Sequence, residues 1–364
     1  MRFDAEGKPA NPAPLDFSIL HFRLMNWEQL DWAALDRLRE GFLTGSAAAG
    51  PYWQTPSDLA SYDLTYAERI GWKWDAVLRE LASRAWRPPS AARALVDWGC
   101  GSGVAGRRVL AAFGAENFDT LHLWDHSPLS REFATTRARE TFPSLTVTAN
   151  TTEPAPADLP PYTLVLSHVL NELPPASLQT LLQLVAQAEA VLWVEPGTHA
   201  VSRQLIGIRE TLTSTFNLIA PCPHQGVCGL LAAGNERHWC HFFAPPPVGV
   251  QNDSDWVRFG QRAGIDLRSL PYSYLALEKR FAITPAAGAS ATSLPPPGAA
   301  RILGRAEHFK GFARVLSCEA SGVEELELQK RADADLFKQL KKDASHPLYR
   351  WERTDRRITG ATRV

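Results

Sequence analysis

Between residues 94 and 195, short apolar runs alternate with segments of helical spacing, and this alternation narrows the fold further than any other feature. Ala94–Trp98, Leu121–Asp125, Leu145–Thr148, Tyr162–Ser167 and Ala190–Glu195 read as strands. Val104–Phe113, Pro128–Glu140 and Ser177–Ala188 read as the helices between them. Strands this short and this continuously apolar suit a sheet covered by helices on both faces. The pattern predicts an α/β fold, a doubly wound and mostly parallel sheet.

The flanks differ from this core. Residues 1–16 are punctuated by Pro and Gly and read as poorly ordered. Residues 1–90 otherwise read as an N-terminal helical cap. Its clearest helix, Tyr66–Leu81, places Ile70, Trp74, Val77, Leu78 and Leu81 on one face. The sheet core spans 91–216 and closes with a helix over Val201–Phe216. Residues 217–250, rich in Cys, Pro, Gly and His, form an insertion of little periodicity. Residues 251–337 read as C-terminal strands of the sheet, interrupted by a flexible loop over 284–300. The end, 338–364, has eight Lys/Arg against three Asp/Glu and reads as a basic tail.

Composition then excludes several classes. With 38 Lys+Arg against 39 Asp+Glu, nucleic acid can be met only through a local patch. Apolar residues at 45% and charged ones at 21% exclude fibrous, collagenous and fully disordered chains. No run of about 18 apolar residues exists, so no membrane span is expected. The stretch Met1–Lys8 has no apolar region behind it and is acidic, against a signal or transit peptide. Five cysteines, an odd number, argue against a disulfide framework or a disulfide-linked partner. A cytoplasmic location is the expectation.

The first strand runs into Val96-Asp97-Trp98-Gly99-Cys100-Gly101-Ser102-Gly103 and then a helix. Gly99 and Gly101 permit a sharp turn and close approach of a ligand, and Gly103 permits close packing of the helix start. Asp125 ends the next strand, placed for a pair of ribose hydroxyls. Dinucleotide folds space their glycines as G-x-G-x-x-G to seat a pyrophosphate. Here the order is Asp-x-Gly-x-Gly-x-Gly. S-adenosylmethionine has an α-amino group and no phosphate, and an acidic residue near the turn can meet that amine directly or through water. The motif resembles motif I of class I methyltransferases, with Leu123-Trp124-Asp125-His126-Ser127 as the acidic second motif; the plainer reading is a structural turn.

His168, in Ser167-His168-Val169-Leu170-Asn171-Glu172-Leu173, stands where a strand end should face the cofactor. A base and a packing histidine are both open readings, the second the commoner. The Asn/Asp-Pro-Pro-aromatic run of amino-group methylation is absent, and no Cys stands there to attack a pyrimidine. No catalytic residue is assigned.

The cysteines Cys222, Cys228 and Cys240 lie in a segment too polar for core, and Cys318 ends a distant strand. Four thiolates can hold zinc or an iron–sulfur cluster. The spacing matches neither zinc ribbons nor common ferredoxins, and His224, His238 and His241 keep zinc open. Cys100, inside the glycine turn, reads as packing.

Together these motifs resemble the Rsm-type methyltransferase-like proteins of the small ribosomal subunit, known from mitochondria and bacteria, over roughly residues 60–355. The resemblance rests on Asp97–Gly103, Ser167–Leu173, Val194-Glu195-Pro196-Gly197-Thr198, and the pair Cys222-Pro223-His224 and Trp239-Cys240-His241-Phe242. Pro271-Tyr272-Ser273-Tyr274-Leu275 and Lys310-Gly311-Phe312 before Cys318 complete it. It implies a class I methyltransferase, Rossmann-like fold, a [4Fe–4S] cluster on Cys222, Cys228, Cys240 and Cys318, and action on the small subunit and its rRNA during assembly. Gly229 stands where the family usually has Pro. The basic residue expected soon after His241-Phe242 is replaced by Phe243-Ala244-Pro245. Two other functions are compatible with the residues: a catalytically silent assembly factor that clamps rRNA, and a methyltransferase of a small molecule or protein.

Overall fold

A computed structural model describes residue 28 and residues 30–44, 52–280, 294–342 and 345–364. The expected loose N-terminus, and the expected loop over 284–300 as far as residue 293, lie outside the described residues.

Three helices, α1 (Trp32–Thr44), α2 (Pro56–Leu64) and α3 (Tyr66–Ser83), make the N-terminal cap. A capping box starts α2: the Thr55 hydroxyl accepts from the Asp58 N–H, and the Asp58 carboxylate accepts from the Thr55 N–H. α3 runs two residues beyond the expected end and buries Trp74, Val77, Leu78 and Leu81, while Ile70 is half-buried.

The core alternates as expected: β1 (Ala94–Trp98), α4 (Val104–Phe113), β2 (Thr120–Trp124), α5 (Pro128–Thr141), β3 (Thr146–Ala149), β4 (Tyr162–Ser167), α6 (Pro175–Gln187), β5 (Ala190–Pro196) and α7 (His199–Leu212). Then come β6 (Phe216–Ala220), β7 (Phe242–Phe243), α8 (Ser254–Ala263) and β8 (Pro271–Lys279). The expected helix over Val201–Phe216 therefore stops at Leu212, and Phe216 opens a strand instead. Strand order is β3-β2-β1-β4-β5-β8-β6, with β7 also on β8. β8 runs antiparallel to its neighbours, and β1 to β5 are mutually parallel. Alternate residues feed two cores: Leu95, Val165 and Leu192 on one face, Val96, Leu164 and Trp193 on the other. This is the doubly wound, mostly parallel α/β sheet that the sequence predicts. Strand order reverses between β1 and β4, which opens a crevice at their carboxyl ends.

Buried ion pairs fasten the cap to α4. Arg107 meets Asp63 at 2.6 Å, and Arg108 meets Glu68 at 2.6 Å and Asp75 at 3.1 Å. Arg107 also donates to the Ser102 carbonyl at 2.6 Å, so the cap holds the glycine turn itself.

The C-terminal third departs from expectation. β9 (Ala300–His308), β10 (Phe312–Glu319), β11 (Gly322–Gln329), α9 (Ala334–Lys342), β12 (Leu348–Thr354) and β13 (Arg357–Arg363) do not extend the sheet. They close a separate barrel in the order β10-β11-β13-β12-β9, with β11 and β13 parallel. Ile302, Val315, Leu326, Leu328, Tyr349 and Ile358 fill it, with Leu336 and Leu340 of α9 against them. The expected basic tail is thus the end of α9 and two barrel strands. Lys338, Lys341 and Lys342 belong to α9, and the exposed Arg350, Arg353, Arg356, Arg357 and Arg363 lie on β12, β13 and the turn between them. Among the described residues, no helix is long and apolar enough to cross a membrane.

Candidate functional site

The crevice holds a pocket of about 400 Å³, lined from the ends of β1, β2 and β4 and by α2. Gly99, Gly101 and Gly103 all have positive φ, at 68°, 52° and 75°, the region that favours glycine. A Cβ at Gly101 would meet nothing within 4 Å, so this backbone faces open pocket. A Cβ at Gly103 would lie 2.9 Å from the Ala134 Cβ, which is the close helix packing expected there. Gly99 and Gly101 line the pocket; Gly103 supports it from behind.

Asp125 closes one side. Its Oδ2 accepts from the Gly101 N–H at 3.0 Å and its Oδ1 from the Ser127 N–H at 2.8 Å. Burial pushes its pKa up, and these backbone donors oppose that. Each oxygen keeps a lone pair for a ligand hydroxyl. Asp97 sits elsewhere, because strand alternation turns Trp98 toward the pocket and Asp97 under α4. It is fully buried; its Oδ2 accepts from the Gly106 N–H at 2.9 Å, and its Oδ1 has no partner. Burial raises it to about 7.

Several lining residues carry no role in the sequence motifs. Trp98 and Trp124 lie with ring centres 4.8 Å apart, and Trp98 donates to Glu153 at 3.2 Å. Tyr52, from ahead of α2, reaches Glu172 at 3.5 Å. Glu172 lay inside the Ser167–Leu173 motif, so an acidic residue just past a strand end was its available signal. For Tyr52 no local signal exists. Burial raises Glu172 to about 7, with Asp125 adding to the rise. A cationic ligand here is expected to bind several-fold more tightly at pH 8 than at pH 6, because Glu172 sheds its proton in that window. Calorimetry across that range should show the rise, and Glu172→Gln should flatten it.

His168 borders this pocket and a second cavity of about 380 Å³ that also holds Arg69, Lys73 and Asn171. Its φ of 58° is strained for a residue with a side chain. The loop is pinned by Glu195, whose Oε1 accepts from Val169 N, Leu170 N and Trp193 Nε1. His168 Nε2 lies 3.1 Å from Lys73 Nζ, and Nδ1 lies 3.4 Å from Ser167 Oγ. Burial, with Lys73 beside it, pushes the imidazole well below its usual pKa. Burial, with Arg69 adding, brings Lys73 down to about 7. The imidazole is therefore neutral at pH 7, where Lys73 beside it is close to half protonated.

The four cysteines of the second motif come from separate elements. Cys222 and Cys228 follow β6, Cys240 precedes β7, and Cys318 is on β10. They stand within electrostatic reach of one another. Burial pushes Cys240 and Cys318 up, and both feel Cys222 and Cys228. Two buried guanidiniums, Arg209 and Arg301, lie beside them and oppose that rise at Cys318. His224 Nε2 is 3.9 Å from Cys318 Sγ, and its Nδ1 is buried without a partner. His241 instead stacks on Trp239, and the His238 ring meets Arg237. Among the described residues, no three or more His, Cys, Asp or Glu side chains are grouped as a site for a metal ion. Cys100 stays apart as a buried packing residue.

The family described as "Mitochondrial small ribosomal subunit Rsm22" matches residues 61–345. No curated protein matches the chain. Similar solved structures include a putative RNA methyltransferase from Pyrococcus horikoshii, at 9% identity over 59% of this chain and 85% of that one, TM-score 0.33. A magnesium protoporphyrin IX methyltransferase from Synechocystis is 14% identical over 70% and 97%, TM-score 0.36. The 16S rRNA methylase RmtB is 12% identical over 69% and 76%, TM-score 0.32. The family's description is mitochondrial, which differs from the cytoplasmic location expected above. The matched span takes in the cap helix α3, the sheet, the four cysteines and most of the barrel, and this chain belongs to the Rsm22 family of the mitochondrial small ribosomal subunit.

Proposed function

We propose that this protein is a methyltransferase-like factor of the small ribosomal subunit that binds S-adenosylmethionine in the pocket of about 400 Å³ and contacts small-subunit rRNA. The observation that carries the cofactor reading is the left-handed glycine turn, open at Gly101 and held by Asp125. Asp125 would take the ribose hydroxyls, the Trp98–Trp124 side the adenine, and Glu172 the cationic end. Asp97 acts through the turn, by fixing the start of α4. When bound, the cofactor supplies an activated methyl group. His168, neutral and bridged to Lys73, borders both cavities, and the pair would pass a proton from one to the other, with Lys73 as its holder near pH 7.

Calorimetry should show binding of S-adenosylmethionine, weakened by more than about 1 kcal/mol in Asp125→Ala through lost hydrogen bonds. Tighter binding of a nicotinamide dinucleotide would sink this assignment. Transfer of labelled methyl groups to small-subunit rRNA, absent in His168→Ala, separates an enzyme from a catalytically silent clamp.

The same reading puts a [4Fe–4S] cluster on Cys222, Cys228, Cys240 and Cys318, with zinc as the alternative. Its support is the resemblance of the Cys222-Pro223-His224 and Trp239-Cys240-His241-Phe242 motifs to those of the family, with the positive charge of Arg209 and Arg301 beside Cys318 suiting an anionic thiolate centre.

A further inference from the structure

The barrel pairs its first strand, β9, with its second and fourth, and its third with its fifth in parallel. Five-stranded Greek-key barrels of this kind, OB folds, hold oligonucleotides on the face of strands two and three and on the loops joining strands one to two and four to five. Here much of that face is engaged already. Gly229 of the Cys-rich segment packs on Gly322 and Val323, and Arg237 pairs with Glu325 at 3.0 Å. The outward residues Glu325 and Glu327 of β11 are acidic, which suits a phosphate backbone poorly.

The loop between strands one and two is different. It is the tight turn Phe309-Lys310-Gly311-Phe312, closed by a backbone bond of 2.9 Å between Phe309 and Phe312. The two rings stack at 4.5 Å and 12°, and Phe309 is 43% exposed, so part of the stacked pair faces solvent. Gly311 also binds the Lys330 N–H at 2.9 Å, which brings Lys330 and Arg331 to the same turn. Among the described residues, the side chains of Lys310, Lys330 and Arg331 enter no ion pair. The nearby acids are engaged: Glu307 and Glu327 flank Arg314 at 3.8 and 3.9 Å, and Asp333 caps α9.

A second observation adjoins the first. His308, one residue before the platform, has both ring nitrogens buried without a partner. It lines a groove of about 270 Å³ that also carries Arg305, Lys341 and Arg268, the last of them paired with Asp266 at 3.0 Å. Phe337 joins the two features, edge-on to His308 at 4.9 Å and 6.0 Å beneath Lys330. Arg305 also lies 3.8 Å over the Phe243 ring, at the edge of the same groove.

We propose that the β9–β10 turn and the adjoining groove bind single-stranded RNA, a base stacking on the Phe309–Phe312 pair and phosphates meeting Lys310, Lys330 and the groove cations. This rests on the small-subunit reading and names the contact within it. Arg305 to Phe309 spans about 13 Å of strand, room for a short run of nucleotides.

The test uses the full chain, a labelled single-stranded oligouridylate and intact small-subunit rRNA. Phe309→Ala should weaken oligouridylate binding by about five- to hundredfold with an unchanged melting temperature, and Phe309→Trp should retain it. Lys310→Ala with Lys330→Ala should flatten the log–log salt slope by about 1.4, two phosphates at 0.7 each. Wild-type affinity and slope in all these variants would overturn the proposal, and intact rRNA capture by the wild type would leave the small-subunit reading standing. Failure of the wild type to bind either RNA would overturn both. Normal RNA binding by Phe309→Ala with loss of ribosome association would assign the turn to a protein and also overturn the proposal.

Discussion

Protein purified without oxygen is expected to be brown, with about four irons per chain, and Cys318→Ser is expected to abolish both colour and iron. The reason is architectural. Cys222, Cys228 and Cys240 lie in a stretch where regular structure is two short strands, β6 and β7, and a single turn over Gly229–Leu231. Between β6 and β7 the segment sends little more than Cys228 and Leu230 into the apolar core, whereas ligation of a metal centre is itself folding free energy. Cys318 belongs to the barrel, so the centre would tie sheet to barrel through four side chains. Hydrogen exchange should therefore accelerate over residues 217–245 in Cys318→Ser, more than seventy positions away in sequence. Cys100→Ser should keep its iron, since Cys100 packs in the core by the glycine turn. Stoichiometric zinc without iron would overturn the cluster while keeping a four-thiolate site. Full iron in Cys318→Ser would remove the barrel from the centre.

How far each part was legible in sequence follows from what holds it together. β1, β4 and β5 are covered on both faces, so their continuous apolar runs announce them. The glycine turn was legible for the same local reason: three positive φ values demand three glycines. β11, Gly-Val-Glu-Glu-Leu-Glu-Leu-Gln, hides its core in two inward leucines between outward glutamates. β12 and β13 likewise place Arg and Glu on the outside, and together they read as a charged tail. The barrel exists through long-range pairing such as Leu348 with Arg301, which no window of residues contains. Asp97 shows a finer limit. Its spacing to the glycines suggested a ligand contact, but the pleat of β1 decides which way it points. Tyr52 and Lys73 reach the two cavities from the cap, so only the tertiary fold reveals them.

The cap, sheet and barrel also meet at one buried charge, and removing it is expected to destabilise the protein by about 3–5 kcal/mol. Glu80 on α3 accepts from Arg301 of β9, from the Tyr274 hydroxyl of β8, and from Arg84 at 2.6 Å. Arg301 also donates to the His346 carbonyl at 2.8 Å, and Arg84 to the Ile219 carbonyl at 2.6 Å, close before Cys222. Burial alone would raise the Glu80 carboxyl, but Arg301 and Arg84 outweigh it and hold the pKa below the usual value. A depressed carboxylate pKa contributes stability above the unfolded value of about 4.3, lost as pH falls through the folded value. Glu80→Ala leaves two guanidiniums in the interior without their counter-charge, so its penalty should exceed the worth of the pair itself. At about 2 °C per kcal/mol for a chain this large, the melting temperature should fall by roughly 6–10 °C. Glu80→Leu with Arg301→Leu should recover part of that loss, because the orphaned charge goes with its partner. Equal melting of the single and double variants would show that Arg301 is not what Glu80 neutralises. A drop below about 1 kcal/mol in Glu80→Ala would mean that water reaches the site and that the three units are joined elsewhere.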